Sequence, residues 1–182
     1  MEEPNIEIAV KKLTAAIKEY PNYPIEGVVF KDMMPALAQP ETCNSIIDAL
    51  FEQWKNESIQ VVCGIESRGF FFGLPLALKL GVPFVPIRKM GKLPGKTIEI
   101  SYDLEYGSAC IEIQAQSLPP NASVLIHDDL LATGGTALAA AHLVQIAGAK
   151  VAGFSFLLNL EALQGKNRLD AITQNTKYLI NC

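Results

Sequence analysis

Apolar residues recur near helical spacing in EIAVKKLTAAIKE (7–19), where Ile8, Leu13 and Ile17 stand among lysines. That spacing predicts an amphipathic helix. Tyr20-Pro21-Asn22-Tyr23-Pro24 ends it, because proline cannot continue a helix. GVVFKD (27–32) is short and extended, and by residue pattern alone it reads as a core strand with Phe30 buried. A second helix is expected over ETCNSIIDALFEQW (41–54), with Ile46, Ile47, Leu50 and Phe51 on one side. SIQVVC (58–63) is the kind of apolar run that is buried on both faces of a parallel sheet. It leads into Gly64-Ile65-Glu66-Ser67-Arg68-Gly69, then a helix through FFFGLPLALKLG that Gly81 caps. VPFVPIR (82–88) is the next strand. Strand and helix thus alternate from residue 58 on, which predicts an α/β fold with a mainly parallel sheet.

The pattern changes at residue 89. KMGKLPGK (89–96) is basic and carries glycine and proline, so it reads as a mobile loop. TIEISYDLE (97–105) alternates, with Ile98, Ile100, Tyr102 and Leu104 on one face. ACIEIQ (109–114) alternates again after Tyr106-Gly107-Ser108, and two such runs around a glycine predict an antiparallel pair. VLIH (124–127) is a strand, and ALAAAHLVQIAG after Thr136 is a helix. KVAGFSFLL (150–158) and KYLI (177–180) are further strands, separated by a polar excursion from Asn159 to Leu169. No repeat, low-complexity tract or interdomain linker interrupts the series.

Composition adds limits. A length of 182 residues fits one domain, and 49% hydrophobic residues can build a core without staples. A net charge of -4 argues against nucleic acid as a main partner. Cys43, Cys63, Cys110 and Cys182 are scattered without metal or disulfide spacing, which fits a reducing cytoplasm. No basic segment followed by an apolar run opens the chain, so no signal peptide is expected. Apolar runs fall short of the roughly 20 residues that span a membrane, so no membrane partner is expected.

The candidate chemistry lies in VLIHDDLLATGGT (124–136). A strand runs into Asp128 and Asp129, and Ala132-Thr133-Gly134-Gly135-Thr136 follows just before a helix. Glycines let backbone approach a ligand closely. N–H groups at a helix start are unpaired donors at the positive end of its dipole, so this is a phosphate cradle. The two acids would repel a phosphate. They are left with sugar hydroxyls, a metal ion, or both. Ser67-Arg68-Gly69 is a second strand-to-helix turn, and Arg68 has the forked geometry that suits phosphate. Taken alone it reads equally as a surface arginine, and Arg88, Lys89 and Lys92 equally as a solvated basic loop. Together with a cradle and paired aspartates they describe a site for a ligand with several phosphates and a sugar. His127 lies in an otherwise apolar strand and reads as a core histidine; His142, in an alanine-rich helix, reads as structural. Motifs for a serine nucleophile elbow, a Walker phosphate loop and dinucleotide binding are all absent from the sequence.

At this point the residues resemble a known family. VLIHDDLLATGGT resembles the PRPP-binding motif of type I phosphoribosyltransferases, and GVVFKD, GIESRGFFFG, IRKMGKLPG and SYDLEYG resemble segments of members that use adenine, in the same order. The resemblance runs from about Tyr20 to Arg168. It implies the type I phosphoribosyltransferase fold over residues 1–182: a central, mainly parallel sheet flanked by helices, a small N-terminal hood (1–35) and a mobile catalytic β-hairpin loop (89–108). It implies transfer of the phosphoribosyl group from PRPP to adenine, giving AMP and pyrophosphate, with Mg²⁺ held mainly by the phosphates rather than by side chains. By position, Ala132, Thr133, Gly134, Gly135 and Thr136 would take the 5'-phosphate, and Asp128 and Asp129 the ribose hydroxyls. Glu66, Ser67, Arg68, Arg88 and Lys92 would meet pyrophosphate. Phe30 would stack on adenine, with Val29 and Lys31 reading its edge. Glu105 would be the acid/base, with Tyr106 beside it in the loop. The resemblance also implies a cis peptide at Glu66–Ser67 and a homodimer. His127, Lys31, Glu26 and Met90 depart from the common pattern without removing a catalytic group. Two alternatives stand beside this reading: an enzyme of the same fold acting on xanthine or hypoxanthine, and a non-enzymatic PRPP-sensing regulator.

Overall fold

Helical periodicity at the start of the chain yields α1 (Ile6–Ala16) in the computed structural model, which describes residues 6–23, 25–103 and 107–182. Its buried face is Ala9, Leu13 and Ala16, not Ile8, which is 50% exposed. Spacings of four and three residues put those three on one stripe, and Ile8 lies off it. The segment after the helix does more than end it. β1 (Lys18–Pro21) pairs antiparallel with β2 (Val29–Asp32), with Tyr20 opposite Phe30 and Glu19 opposite Lys31. Phe30 is therefore not a buried core residue. It is half-buried in a two-stranded ribbon, which has no second layer of its own to cover it. Its ring meets Tyr23 edge to face, with centroids 5.3 Å apart. α2 (Met34–Leu37) and α3 (Pro40–Trp54) follow, and α3 buries Ile46, Ala49, Leu50 and Trp54. Residues 1–53 form one compact unit and residues 54–182 a second.

The second unit is organised on an eight-stranded sheet. Its elements in chain order are β3 (Val61–Ile65), α4 (Gly69–Leu80), β4 (Phe84–Lys89), β5 (Thr97–Asp103), β6 (Ser108–Gln114), β7 (Ser123–His127), β8 (Leu130–Leu131), α5 (Gly135–Ile146), β9 (Lys150–Asn159), α6 (Gly165–Leu169) and β10 (Thr176–Asn181). The spatial order is β10-β9-β7-β3-β4-β6-β5, with β8 beside β9. From β10 to β4 the strands are parallel, and β6 runs antiparallel to both of its neighbours, β4 and β5. This is the mainly parallel α/β sheet that the alternating pattern predicts. Every residue of β3 is buried, as a strand covered on both faces must be.

Side chains alternate between the two faces. Cys63, Val85, Ile126, Phe154 and Phe156 share one core with Ala137, Ala140, Ala141 and Val144 of α5. Small alanines let that helix sit close to the sheet. α4 lies over Gly64 and His127: a Cβ on its Gly73 would come within 3.3 Å of the His127 ring and 3.0 Å of Phe84. The polar stretch 159–169 is not all loop, since it holds a 3₁₀ turn at Glu161–Leu163 and then α6. Because β3, β4 and β7 are parallel, their C-terminal ends share one edge. The segments that leave them, 66–68, 90–96 and 128–134, all begin there. Ligands of open α/β sheets bind along that edge.

Candidate active site

Helix α5 starts at Gly135, and Gly134 before it has φ of 80°, a left-handed conformation natural to glycine. Two glycines press backbone against backbone here. A Cβ on Gly134 would come within 2.7 Å of the Gly165 carbonyl oxygen, and one on Gly165 would overlap the Ala132 carbonyl. Gly165 thus braces the loop from the start of α6. The loop borders a cavity of about 190 Å³ lined by Ala132, Thr133, Gly134, Gly135 and Thr136, with Arg68 and Asp128 across from them. Tyr102 on β5 adds a support: its hydroxyl donates to Thr136 Oγ1 at 3.2 Å. That bond leaves the Thr136 proton free for another acceptor.

The tip of β7 is pinned by β9. Asp128 N–H donates to the Ser155 carbonyl at 3.1 Å, and the Asp129 carbonyl accepts from Leu157 and Leu158 at 3.0 Å each. The two aspartates then part ways. Asp128 lines the cavity and its Oδ1 accepts the Asp129 N–H at 2.8 Å. Asp129 is only 2% exposed, and its Oδ2 lies 3.1 Å from Arg68 Nε. Burial raises the pKa of both carboxyls; the charge of Asp129 pushes Asp128 further up, while Arg68 opposes the rise at Asp129. A cluster that resists ionisation is one awaiting donors or a cation. His127 beside it is fully buried, with Nδ1 3.1 Å from Ser155 Oγ. Burial lowers its pKa to about 3, so it is neutral and belongs to the core. His142 is exposed on α5.

Arg68 precedes α4 in the turn after β3, where the Glu66–Ser67 peptide is cis. Gly69 lets this turn touch the tip of β7, since a Cβ there would come within 2.6 Å of the His127 carbonyl oxygen. Glu66 joins the turn to the end of β4: its Oε2 is 3.1 Å from Arg88 Nε and accepts the Lys89 N–H at 2.9 Å. The hydrogen bond from Arg88 holds the Glu66 carboxyl below the usual carboxylate range, against a smaller opposing effect of burial. Lys92 is exposed, and its carbonyl accepts from Arg88 Nη1 at 3.2 Å. The second unit therefore brings together Glu66, Arg68, Arg88, Asp128, Asp129 and the 132–136 loop. Val29, Phe30 and Lys31 belong to the first unit, where Lys31 Nζ pairs with Glu19 at 2.6 Å. Glu105 and Tyr106 lie outside the described residues.

Sequence reasoning missed four supports: Gly69, Tyr102, Glu112 and Gly165. Glycine at 69 and 165 was visible as a letter, but the close approach that requires it belongs to tertiary structure. Glu112 sits in an alternating strand where its position reads as solvent-facing, yet it is only 3% exposed. Lys92 and Leu93 N–H groups both donate to its Oε1 at 2.8 Å. Among the described residues no group of three or more His, Cys, Asp or Glu is placed to hold a metal ion. The oxygen chemistry here still suits magnesium, which is commonly held by one or two carboxylates plus substrate phosphates. A magnesium ion held mainly by substrate phosphates would find the Asp128 carboxylate at the cavity wall.

Known proteins resemble this chain in sequence and in fold. The family model for the phosphoribosyl transferase domain matches residues 36–176. The chain is 50% identical over 153 residues to the adenine phosphoribosyltransferase of Thermobifida fusca, covering 84% of this chain and 87% of that one. It resembles the crystal structure of the Thermoanaerobacter pseudethanolicus adenine phosphoribosyltransferase with a TM-score of 0.91 at 39% identity, covering 95% of this chain and 99% of the other. The Saccharomyces cerevisiae enzyme, crystallised with an imino-altritol bisphosphate and adenine, is similar at a TM-score of 0.88 and 40% identity, over 96% and 99% of the two chains.

Proposed function

The chain belongs to the adenine phosphoribosyltransferase family, and on that footing we propose that it transfers the 5-phosphoribosyl group of PRPP to adenine, releasing AMP and pyrophosphate. The observation that carries this reading is the cavity in which a glycine-bearing helix start, a half-buried aspartate and an arginine face one another. A 5'-phosphate fits the 133–136 amides and the Thr136 hydroxyl. Ribose hydroxyls fit the Asp128 carboxylate, whose desolvation a pair of donors would relieve. Asp129, buried and paired with Arg68, holds that arginine beside the sugar site.

Pyrophosphate falls to Arg68, Arg88 and Lys92, with the Glu66–Ser67 backbone. The reaction breaks the bond from C1' to the pyrophosphate oxygen and forms the bond from C1' to N9 of adenine. The anomeric carbon gains oxocarbenium character, and the departing oxygens gain negative charge. Magnesium, when bound, neutralises part of that charge. Arg68 and Arg88 add fixed cations whose partners, Asp129 and Glu66, already hold them in place. Glu105 accepts the proton that leaves N9, with Tyr106 beside it, and closure of the 89–108 hairpin excludes water from PRPP. Phe30 stacks on the base. Backbone groups of Val29 and Lys31 read its edge, so a 6-oxopurine leaves an acceptor facing an acceptor.

Two features of the molecule's setting follow the same reading. Phe71, Leu74 and Leu78, at 39%, 45% and 72% exposure, form a stripe on α4 that suits a homodimer contact. All four cysteines are free, which suits the cytoplasm, and no helix among the described residues is long and apolar enough to cross a membrane. Steady-state rates with PRPP, Mg²⁺ and a panel of adenine, hypoxanthine, xanthine and guanine test the assignment. Adenine should be turned over on the order of 10⁴-fold more efficiently than any 6-oxopurine, the discrimination expected when buried polar groups are left unpaired. Preference for a 6-oxopurine would move the chain to the first alternative; PRPP binding without turnover would make it a regulator.

A further inference from the structure

The basic loop between β4 and β5 is built around a carboxylate that the transfer reaction does not itself use. Ile111 and Ile113 of β6 enter the apolar core, so alternation turns Glu112 to the other face, where it is only 3% exposed. The 91–93 backbone supplies what water does not. Lys92 and Leu93 N–H groups donate to Glu112 Oε1 at 2.8 Å each, and the Gly91 N–H and Thr97 hydroxyl bond to the same carboxylate. Arg88 Nη1 grips the Lys92 carbonyl from the other side at 3.2 Å. A buried carboxylate without partners is strongly unfavourable, so the carboxylate and this loop conformation require one another. Burial alone would favour the neutral acid, but these hydrogen bonds prevail and keep the group below the usual carboxylate range.

We propose that Glu112 is a positioning residue for the pyrophosphate half of the reaction: an internal anion that orders Gly91–Leu93 and so sets where Arg88 and Lys92 present their cations. The proposal rests on the reading that Arg88 and Lys92 meet pyrophosphate. A residue that merely stabilised the fold would affect all substrates alike. Glu112 should act only on those that carry pyrophosphate.

The test compares Glu112→Gln and Thr97→Val with Arg88→Ala and Lys92→Ala. Glutamine keeps the size, loses the charge and sets an amide NH₂ against backbone donors. It should raise KM for PRPP, and for pyrophosphate in the reverse direction, by about 10-fold, the scale of a hydrogen bond to a charged group. KM for adenine and AMP should stay within about 2-fold, and amide exchange at Gly91–Leu93 should speed up. Thr97→Val removes one donor only, and should move the same constants in the same direction by about 2- to 3-fold; it carries the test if Glu112→Gln does not fold. Unchanged constants for PRPP and pyrophosphate in these two variants, while Arg88→Ala and Lys92→Ala raise them, would overturn the role of Glu112. So would an equal loss for all four substrates. If Arg88→Ala and Lys92→Ala leave PRPP use intact, the pyrophosphate reading itself fails and the proposal falls with it.

Discussion

Asp128 stands half-buried at a cavity wall beside a second carboxylate, and that position sets its energetics. Burial, then the negative charge of Asp129, raise its pKa well above the ordinary aspartate value. The folded protein therefore holds this proton more tightly than the unfolded chain does. Stability from such a group is present below the unfolded pKa and is lost as pH rises through the folded one. At neutral pH the unliganded fold thus carries a cost that substrate relieves. Asp128→Asn should stabilise the unliganded protein near neutrality by about 1 kcal/mol, or roughly 2–4 °C in Tm for a chain of this size. It keeps the acceptor for the Asp129 N–H. The gain should shrink as pH falls and the wild-type group takes up its proton. PRPP use should fall by about 10- to 100-fold in kcat/KM, as when a charged hydrogen-bond partner is lost. Thermal melts across pH, run beside PRPP kinetics, check both halves. A destabilised Asp128→Asn that uses PRPP normally would remove the sugar role. The aspartates were legible in sequence because paired acids at a strand end are odd. Their different fates were not, because Arg68 lies far along the chain and reaches Asp129 only after folding.

Elements were legible where period and length agreed. β3, β7 and β9 appear as apolar runs and α4 and α5 as helices closed or opened by glycine, and all five form close to where the pattern puts them. The pattern failed where a strand has one partner and no second layer. β2 looks apolar enough for a core, yet its ribbon leaves Phe30 half-buried against Tyr23. β1 was hidden behind two prolines that read only as a helix stop. β6 shows the opposite failure, since its outward face is covered by a loop and buries Glu112. Helix α4 carries the next prediction. Its residues 71, 74 and 78 repeat at three and four, so one face bears Phe71, Leu74 and Leu78 in partial exposure. Light scattering should give twice the chain mass of 19.8 kDa for the wild type. Leu74→Glu with Leu78→Glu should return a single-chain mass while circular dichroism shows the fold retained, because both side chains are exposed within one chain. A double variant that remains dimeric would put the interface elsewhere.

At the scale of the whole second unit, parallel strands bring distant segments of sequence to one edge. The turn after β3, the loop after β4 and the loop after β7 are far apart in the chain. Each is the exit of a neighbouring strand in the sheet. Gly69 sets the first against the third, Glu66 ties the first to Arg88, and Tyr102 links the β5–β6 hairpin to Thr136. The order of motifs announced that such a site exists. The contacts that hold its parts in register could not be read before folding, since each joins residues with no local pattern in common. A crystal structure with AMP tests whether the β7–α5 segment holds the sugar and phosphate of the nucleotide. The phosphate should lie within about 3 Å of the 133–136 amides, with ribose hydroxyls on Asp128. A nucleotide whose phosphate sits away from that loop would contradict it.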